Sequence, residues 1–165
     1  MATIKQRITN CLWFDSEAED AAKLYTSIFK NSSIGAITRF GKEGFEFHRK
    51  PEGSVMTVSF YLDGQEFLGL NGGPRFQFNE AMSLIVNCEN QAEIDHYWYK
   101  LSDGGKEGQC GWLTDKFGVS WQVVPVNWIE MMNNPDKKRT SKVMEKVFQM
   151  KKFQLDILEK AFNDQ

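Results

Sequence analysis

Residues 8–14 are apolar, β-branched and aromatic and stop at Asp15-Ser16, which predicts a strand running into a helix. Ser16 with Glu19 three places on forms a capping box. Ala18, Ala21, Ala22, Tyr25, Ile28 and Phe29 then recur at three- and four-residue spacing, so the helix has one buried stripe. Residues 34–40 predict a second strand, and Gly41-Lys-Glu-Gly44 a turn or flexible loop. Strands at 55–62 and 66–70 flank Asp63-Gly64, a strong hairpin signal. Asn71-Gly-Gly-Pro74 interrupts the pattern as a hinge. Beyond it the chain predicts a strand at 82–86, a helix at 91–101 closed by Gly104-Gly105, and strands at 109–113 and 119–124. Helices are expected at 128–132, 140–150 and 153–162, with Val143, Val147, Met150, Leu155, Leu158 and Phe162 as their apolar contacts.

The two halves echo one another. The spacing that aligns Asp15 with Asn87 also aligns Leu12 with Leu84, Phe14 with Val86, Tyr25 with Tyr97 and Phe29 with Leu101. A second echo sets Asp63-Gly-Gln-Glu-Phe67 against Asp115-Lys-Phe-Gly-Val119, each a turn into a closing strand. Duplicated halves in one small domain share a core and enclose a site. The expected organisation is one domain over 1–165, with module one at about 7–72, module two at about 78–125 and a helical extension at about 126–165.

A net charge of −2 and a pI near 5.8 exclude a general nucleic-acid or anionic-membrane surface. Lys137-Lys-Arg139 is a solvated helix end beside Asp136. No apolar run approaches the ~20 residues of a membrane span, and the first seven residues lack a signal-peptide core, so a cytoplasmic protein is expected. Cys11, Cys88 and Cys110 form neither a disulfide framework nor a C-x-x-C pair and read as reduced thiols.

The order strand, helix, three strands, written twice, resembles the vicinal oxygen chelate superfamily. Its glyoxalase-type members close two such modules into a cup around a small-molecule site. Residues 8–15, Leu70-Asn-Gly-Gly-Pro74, Phe78-Asn-Glu-Ala81, Cys110-Gly-Trp-Leu-Thr-Asp115 and 117–125 resemble the PhnB-like family, whose usual description is 3-demethylubiquinone-9 3-methyltransferase. The resemblance implies an α+β fold of two β-α-β-β-β modules forming a cup-shaped mixed sheet of the glyoxalase/bleomycin resistance/dioxygenase type. It does not carry methyl transfer with it. S-adenosylmethionine ordinarily sits on a glycine-rich turn of a doubly wound sheet, whereas Asp15-Ser-Glu-Ala-Glu19 has no glycine and three carboxylates.

Superfamily metal sites take His, Glu or Gln from the first and last strands of each module. The matching positions here are Thr9, Leu70 or Asn71, Ala81 and Gln122, of which only Gln122 is a ligand type. No metal and no cofactor are therefore expected; Glu66 or Glu80 would turn inward only under a different register. His48 reads as an exposed loop or strand-edge histidine and His96 as part of a solvated helix face.

Strand alternation turns Cys11 and Trp13 inward in module one and Ser120 and Gln122 in module two. The expected ligand-binding set is Cys11, Trp13, Asn71, Cys110, Ser120 and Gln122, with Trp13 stacking on a small organic molecule and the amides and hydroxyl hydrogen-bonding it; no catalytic acid–base pair emerges. Two other readings stay open: a metal-dependent lyase, isomerase or dioxygenase of the same superfamily, and an assembly protein with a vestigial pocket. The apolar stripe of the tail further predicts a homodimer.

Overall fold

The computed structural model describes residues 6–164, so residues 1–5 of the expected leader-free amino terminus, and residue 165, lie outside the described part. The chain forms two compact units that meet at Phe78 and Asn79.

The first unit contains β1 (Asn10–Phe14), α1 (Ala18–Ile28), β2 (Ser33–Arg39), a short helix α2 (Phe45–His48), β3 (Val55–Leu62) and β4 (Gln65–Asn71). Its sheet has the order β1-β4-β3-β2, with β1 parallel to β4 and the other pairs antiparallel. The β3–β4 hairpin turns on Asp63 and Gly64, both at positive φ, as a two-residue turn between right-twisted strands requires. Leu12, Phe14, Val58, Phe60 and Phe67 are buried on the helix side with Ala18, Ala21, Ala22, Tyr25 and Ile28 of α1. Gly69 lets the helix lie close, since a Cβ there would stand 3.1 Å from Ala18 Cβ.

The start of α1 departs from the expected capping box. Glu17 occupies the N-cap without a side-chain bond, and Glu19 pairs with Lys23 at 2.7 Å. The acceptor comes instead from the far end of the sheet. Ala18 N–H donates to Asn71 Oδ1 at 2.9 Å, and Asn71 Nδ2 donates to the Val55 carbonyl at 3.1 Å. A buried helix start needs an acceptor for its orphan N–H groups, and β4 ends where it can supply one. Residues 45–48, expected as loop or strand edge, form a single helical turn between Gly44 and Arg49, both left-handed.

The second unit contains β5 (Leu84–Cys88), α3 (Gln91–Ser102), β6 (Lys106–Glu107), β7 (Trp112–Thr114), β8 (Ser120–Pro125), α4 (Trp128–Met132), α5 (Lys137–Val147) and α6 (Leu155–Asn163). Its order, β5-β8-β7-β6, repeats that of the first unit, again with one parallel pair. The register bears out both sequence echoes. Leu12 pairs with Gly69 and Leu84 with Trp121, and the spacing that aligns Asp63 with Asp115 carries Gly69 onto Trp121. The fold is the two-module α+β fold expected; each module is its own four-stranded mixed sheet, and the strands do not close into a barrel.

Asp115 ties the β7–β8 turn. Its Oδ1 accepts from the N–H groups of Phe117 (2.9 Å) and Val119 (3.0 Å), and its Oδ2 accepts from Trp121 Nε1–H at 2.9 Å. Asp136 caps α5 by accepting from Lys138 N–H, and its carboxylate also pairs with Arg139 at 3.4 Å. Val143, Val147, Met150 and Leu158 are buried within the chain. Leu155 and Phe162 are half-buried, so the stripe expected to build a dimer is largely consumed in covering the tail's own unit.

Candidate functional site

In each unit one face of the sheet carries its helix and the other is open. In the first unit, β1 turns Leu12 and Phe14 to the helix, leaving Cys11 exposed and Trp13 half-buried on the open face. Leu70 lies opposite Trp13 and shares that face, whereas Asn71, one residue on, is 4% exposed on the helix side. Both ends of the Asn71 amide are committed to backbone groups, so the residue acts as a clamp rather than as a wall of a pocket. Trp13 is on the expected face, but its own chain covers it. The indole N–H donates to the Gly73 carbonyl at 2.9 Å, Phe76 meets the ring edge-on at 5.0 Å between centroids, and a Cβ on Gly72 would overlap its six-membered ring.

In the second unit, Val86, Trp121 and Val123 are buried on the helix face, and Ile85, Gln122 and Trp112 form a cross-strand row on the other. Gln122 Nε2 donates to Ser83 Oγ at 2.8 Å. One position away on the same face of β8, Ser120 is 2% exposed, and its Oγ is buried with no hydrogen-bond partner among the described residues. Thr114 lies opposite Ser120, and a cavity of about 170 Å³ lined by Glu80, Lys106, Gly108, Trp112 and Thr114 adjoins this face. The structure thus brings Ser120 and Gln122 together, as the alternation predicts. Ser83, which the repeat spacing also turns inward, joins them, and the structure adds Trp112 and Thr114, which become legible only once the register is fixed.

Cys110 lies off this row. It sits in the left-handed region at φ 57° in the turn before β7, its N–H donating to the Met150 carbonyl at 2.8 Å and its thiol turned toward the Val147 carbonyl at 3.6 Å. Desolvation on the sheet raises the pKa of the Cys11 thiol, although the residue remains accessible. Burial pushes the Cys88 thiol up to about 12, with Glu93 adding to the effect. A thiol-specific reagent at pH 8 should therefore modify Cys11 in the native protein and Cys88 only on unfolding. Modification of Cys88 at the rate of Cys11 in the native protein, followed by peptide mapping, would contradict this burial pattern.

Neither open face offers a metal cradle. The positions that correspond across the repeat are Thr9, Leu70, Ala81 and Gln122, and no group of three His, Cys, Asp or Glu side chains among the described residues stands close enough to hold an ion. Glu66 does share the open face of β4 with Leu70, but it is a lone carboxylate that accepts from Tyr61 O–H at 3.1 Å. His48 is likewise occupied: its Nδ1 accepts from Lys50 N–H at 3.0 Å. No helix among the described residues is long and apolar enough to cross a membrane.

Comparison with known proteins agrees with this geometry. A family profile described as 3-demethylubiquinone-9 3-methyltransferase matches residues 6–124. A solved structure from Bacillus cereus, described as a PhnB protein and provisionally as a 3-demethylubiquinone-9 3-methyltransferase, is 38% identical, with a TM-score of 0.65 over 73% of this chain and 100% of that one. A protein from Pseudomonas aeruginosa shares the fold at 19% identity and a TM-score of 0.58, over 73% of this chain and 98% of its own. The fosfomycin resistance protein FosX from Listeria monocytogenes, in complex with Mn(II) and sulfate, shares it at 15% identity and a TM-score of 0.53, over 79% of this chain and 100% of its own. No curated protein matches the sequence. On the profile match and the 38% identity, the chain belongs to the PhnB-like family described as 3-demethylubiquinone-9 3-methyltransferase.

Proposed function

We propose that the protein binds a small, partly apolar organic molecule against the open face of its second sheet and does so without a divalent metal. The observation that carries this reading is the Ser120 hydroxyl, a buried polar atom left without a partner among the described residues, on the same face as the Gln122–Ser83 pair. An unsatisfied buried hydroxyl costs about 1–3 kcal/mol, and a ligand oxygen or nitrogen reaching it would recover that cost. Trp112 and Ile85 flank Gln122 across the strands and supply the apolar side of such a contact. The metal-free part rests on donor chemistry: one amide at four corresponding positions does not make the three or four ligands a divalent ion requires.

The family description names methyl transfer, and the fold does not favour it. The β1–α1 junction is Asp15-Ser16-Glu17, without glycine, and each sheet has a single parallel pair. A site for S-adenosylmethionine of the doubly wound kind has no counterpart there.

The test is a thermal-shift screen of small organic metabolites on the full chain, followed by two variants. Ser120→Ala should leave the unliganded protein as stable as before or stabilise it by up to about 1 kcal/mol, because it removes an unpaired hydroxyl, yet weaken the selected ligand. Gln122→Ala should fold and weaken the same ligand by about tenfold. If both variants keep full affinity, the ligand sits elsewhere; stoichiometric tightly held metal in the purified protein would overturn the metal-free reading.

A further inference from the structure

The family match ends at residue 124, and the chain then adds α4, α5 and α6. Where α5 and the loop after it return to α3 and β6, they form a partly open cavity of about 480 Å³, a size suited to a small metabolite. Its apolar wall is made by Trp98, Met150 and Ile157. Lys146, Lys151 and Lys152 line the same cavity, with Gln149 and Gln154 as further donors.

These groups are held in place rather than left to wander. Gln91 Nε2 donates to the Phe153 carbonyl at 3.1 Å, and its Oε1 accepts from Leu155 N–H at 2.8 Å. Cys110 and Gly111 N–H groups bind the carbonyls of Met150 and Lys151 at 2.8 and 2.7 Å. Four hydrogen bonds thus fix the loop that carries two of the lysines.

The charge does not balance within the cavity. Lys152 is paired with Asp95 and donates to Tyr99 Oη at 3.0 Å, and Lys151 lies 3.6 Å from Glu107, which also accepts from Trp98 Nε1–H. Lys146 has no acidic partner among the described residues. Burial opposes the charge on Lys152, but its hydrogen bonds to Asp95 and Tyr99 outweigh that effect and raise its pKa.

From this arrangement we propose that the cavity built by the carboxy-terminal extension is a second binding site, for a small organic molecule whose head bears two or more anionic oxygens. The head would lie among Lys146, Lys151 and Gln149, and its apolar part against Met150 and Ile157. This reading is independent of the one for the open sheet face, because Lys146, Gln149 and Lys151 belong to α5 and the loop after it and not to the sheet.

Pyrophosphate and citrate, as phosphoryl and carboxylate probes, should each be titrated calorimetrically into the full-length protein at constant ionic strength, with Trp98 indole N–H followed by NMR. Saturable binding that shifts the Trp98 signal is expected for at least one probe. The double substitution Lys146→Ala/Lys151→Ala, at exposed side chains, should weaken it by about tenfold or more. Lys138→Ala, at the far end of α5, should leave it unchanged. Absence of saturable binding, an unmoved Trp98 signal, or equal weakening by Lys138→Ala would each overturn the proposal.

Discussion

Trp121→Ala is expected to destabilise the protein by about 3–5 kcal/mol, read as a lower denaturant midpoint at an unchanged slope. The side chain is 2% exposed on the helix face of β8, so its removal leaves a large cavity in the core of the second unit. It also strips Asp115 Oδ2 of its indole donor at 2.9 Å, in a residue only 3% exposed. Trp121→Phe separates the two effects. It keeps most of the packing and loses only the hydrogen bond, so it should cost about 1–3 kcal/mol. Neither variant should alter binding at Gln122, because adjacent strand residues face opposite sides of the sheet. A Trp121→Ala protein as stable as the parent, or one whose main defect is ligand affinity, would mean that the faces of β8 are reversed.

Much of this assignment of faces was legible in the sequence, because period-two alternation is a local property. Leu12 and Phe14, or Trp121 and Val123, announce a buried side without reference to any partner strand. The Asp63-Gly64 turn and the repeat spacing then fix which strands meet. What escaped were features decided by distant or backbone contacts. The cap of α1 comes from Asn71, more than fifty residues away, so a local capping box at Ser16 and Glu19 was the plausible but incorrect expectation. Asn71 and Leu70 are neighbours in sequence, and only the pairing of Trp13 with Leu70 shows which of them faces the helix. Cys110 was placed beside the candidate pocket by proximity along the chain, yet a left-handed turn carries it to the returning tail. The tail's apolar stripe is equally compatible with a dimer and with self-burial in the sequence, and the structure shows that Val143 and Val147 are buried within the chain itself.

Asn71→Ala should destabilise the first unit by about 2–4 kcal/mol, because one truncation breaks two links between elements. The Ala18 N–H loses its acceptor at the start of α1, and the Val55 carbonyl at the start of β3 loses its donor. Both bonds centre on a side chain that is 4% exposed, so the loss of the amide leaves little room for solvent to replace it. Asn71→Asp provides the control. The carboxylate still accepts from Ala18 N–H and suits the positive end of the helix dipole, but it meets the Val55 carbonyl with a like-signed oxygen. It should therefore recover the cap and not the strand link, falling between the parent and Asn71→Ala in chemical denaturation. Hydrogen exchange would locate the effect: amides of α1 should lose protection in Asn71→Ala and retain more of it in Asn71→Asp. An Asn71→Ala protein with parental stability and unaltered protection in α1 would return Asn71 to the set of residues open to a ligand.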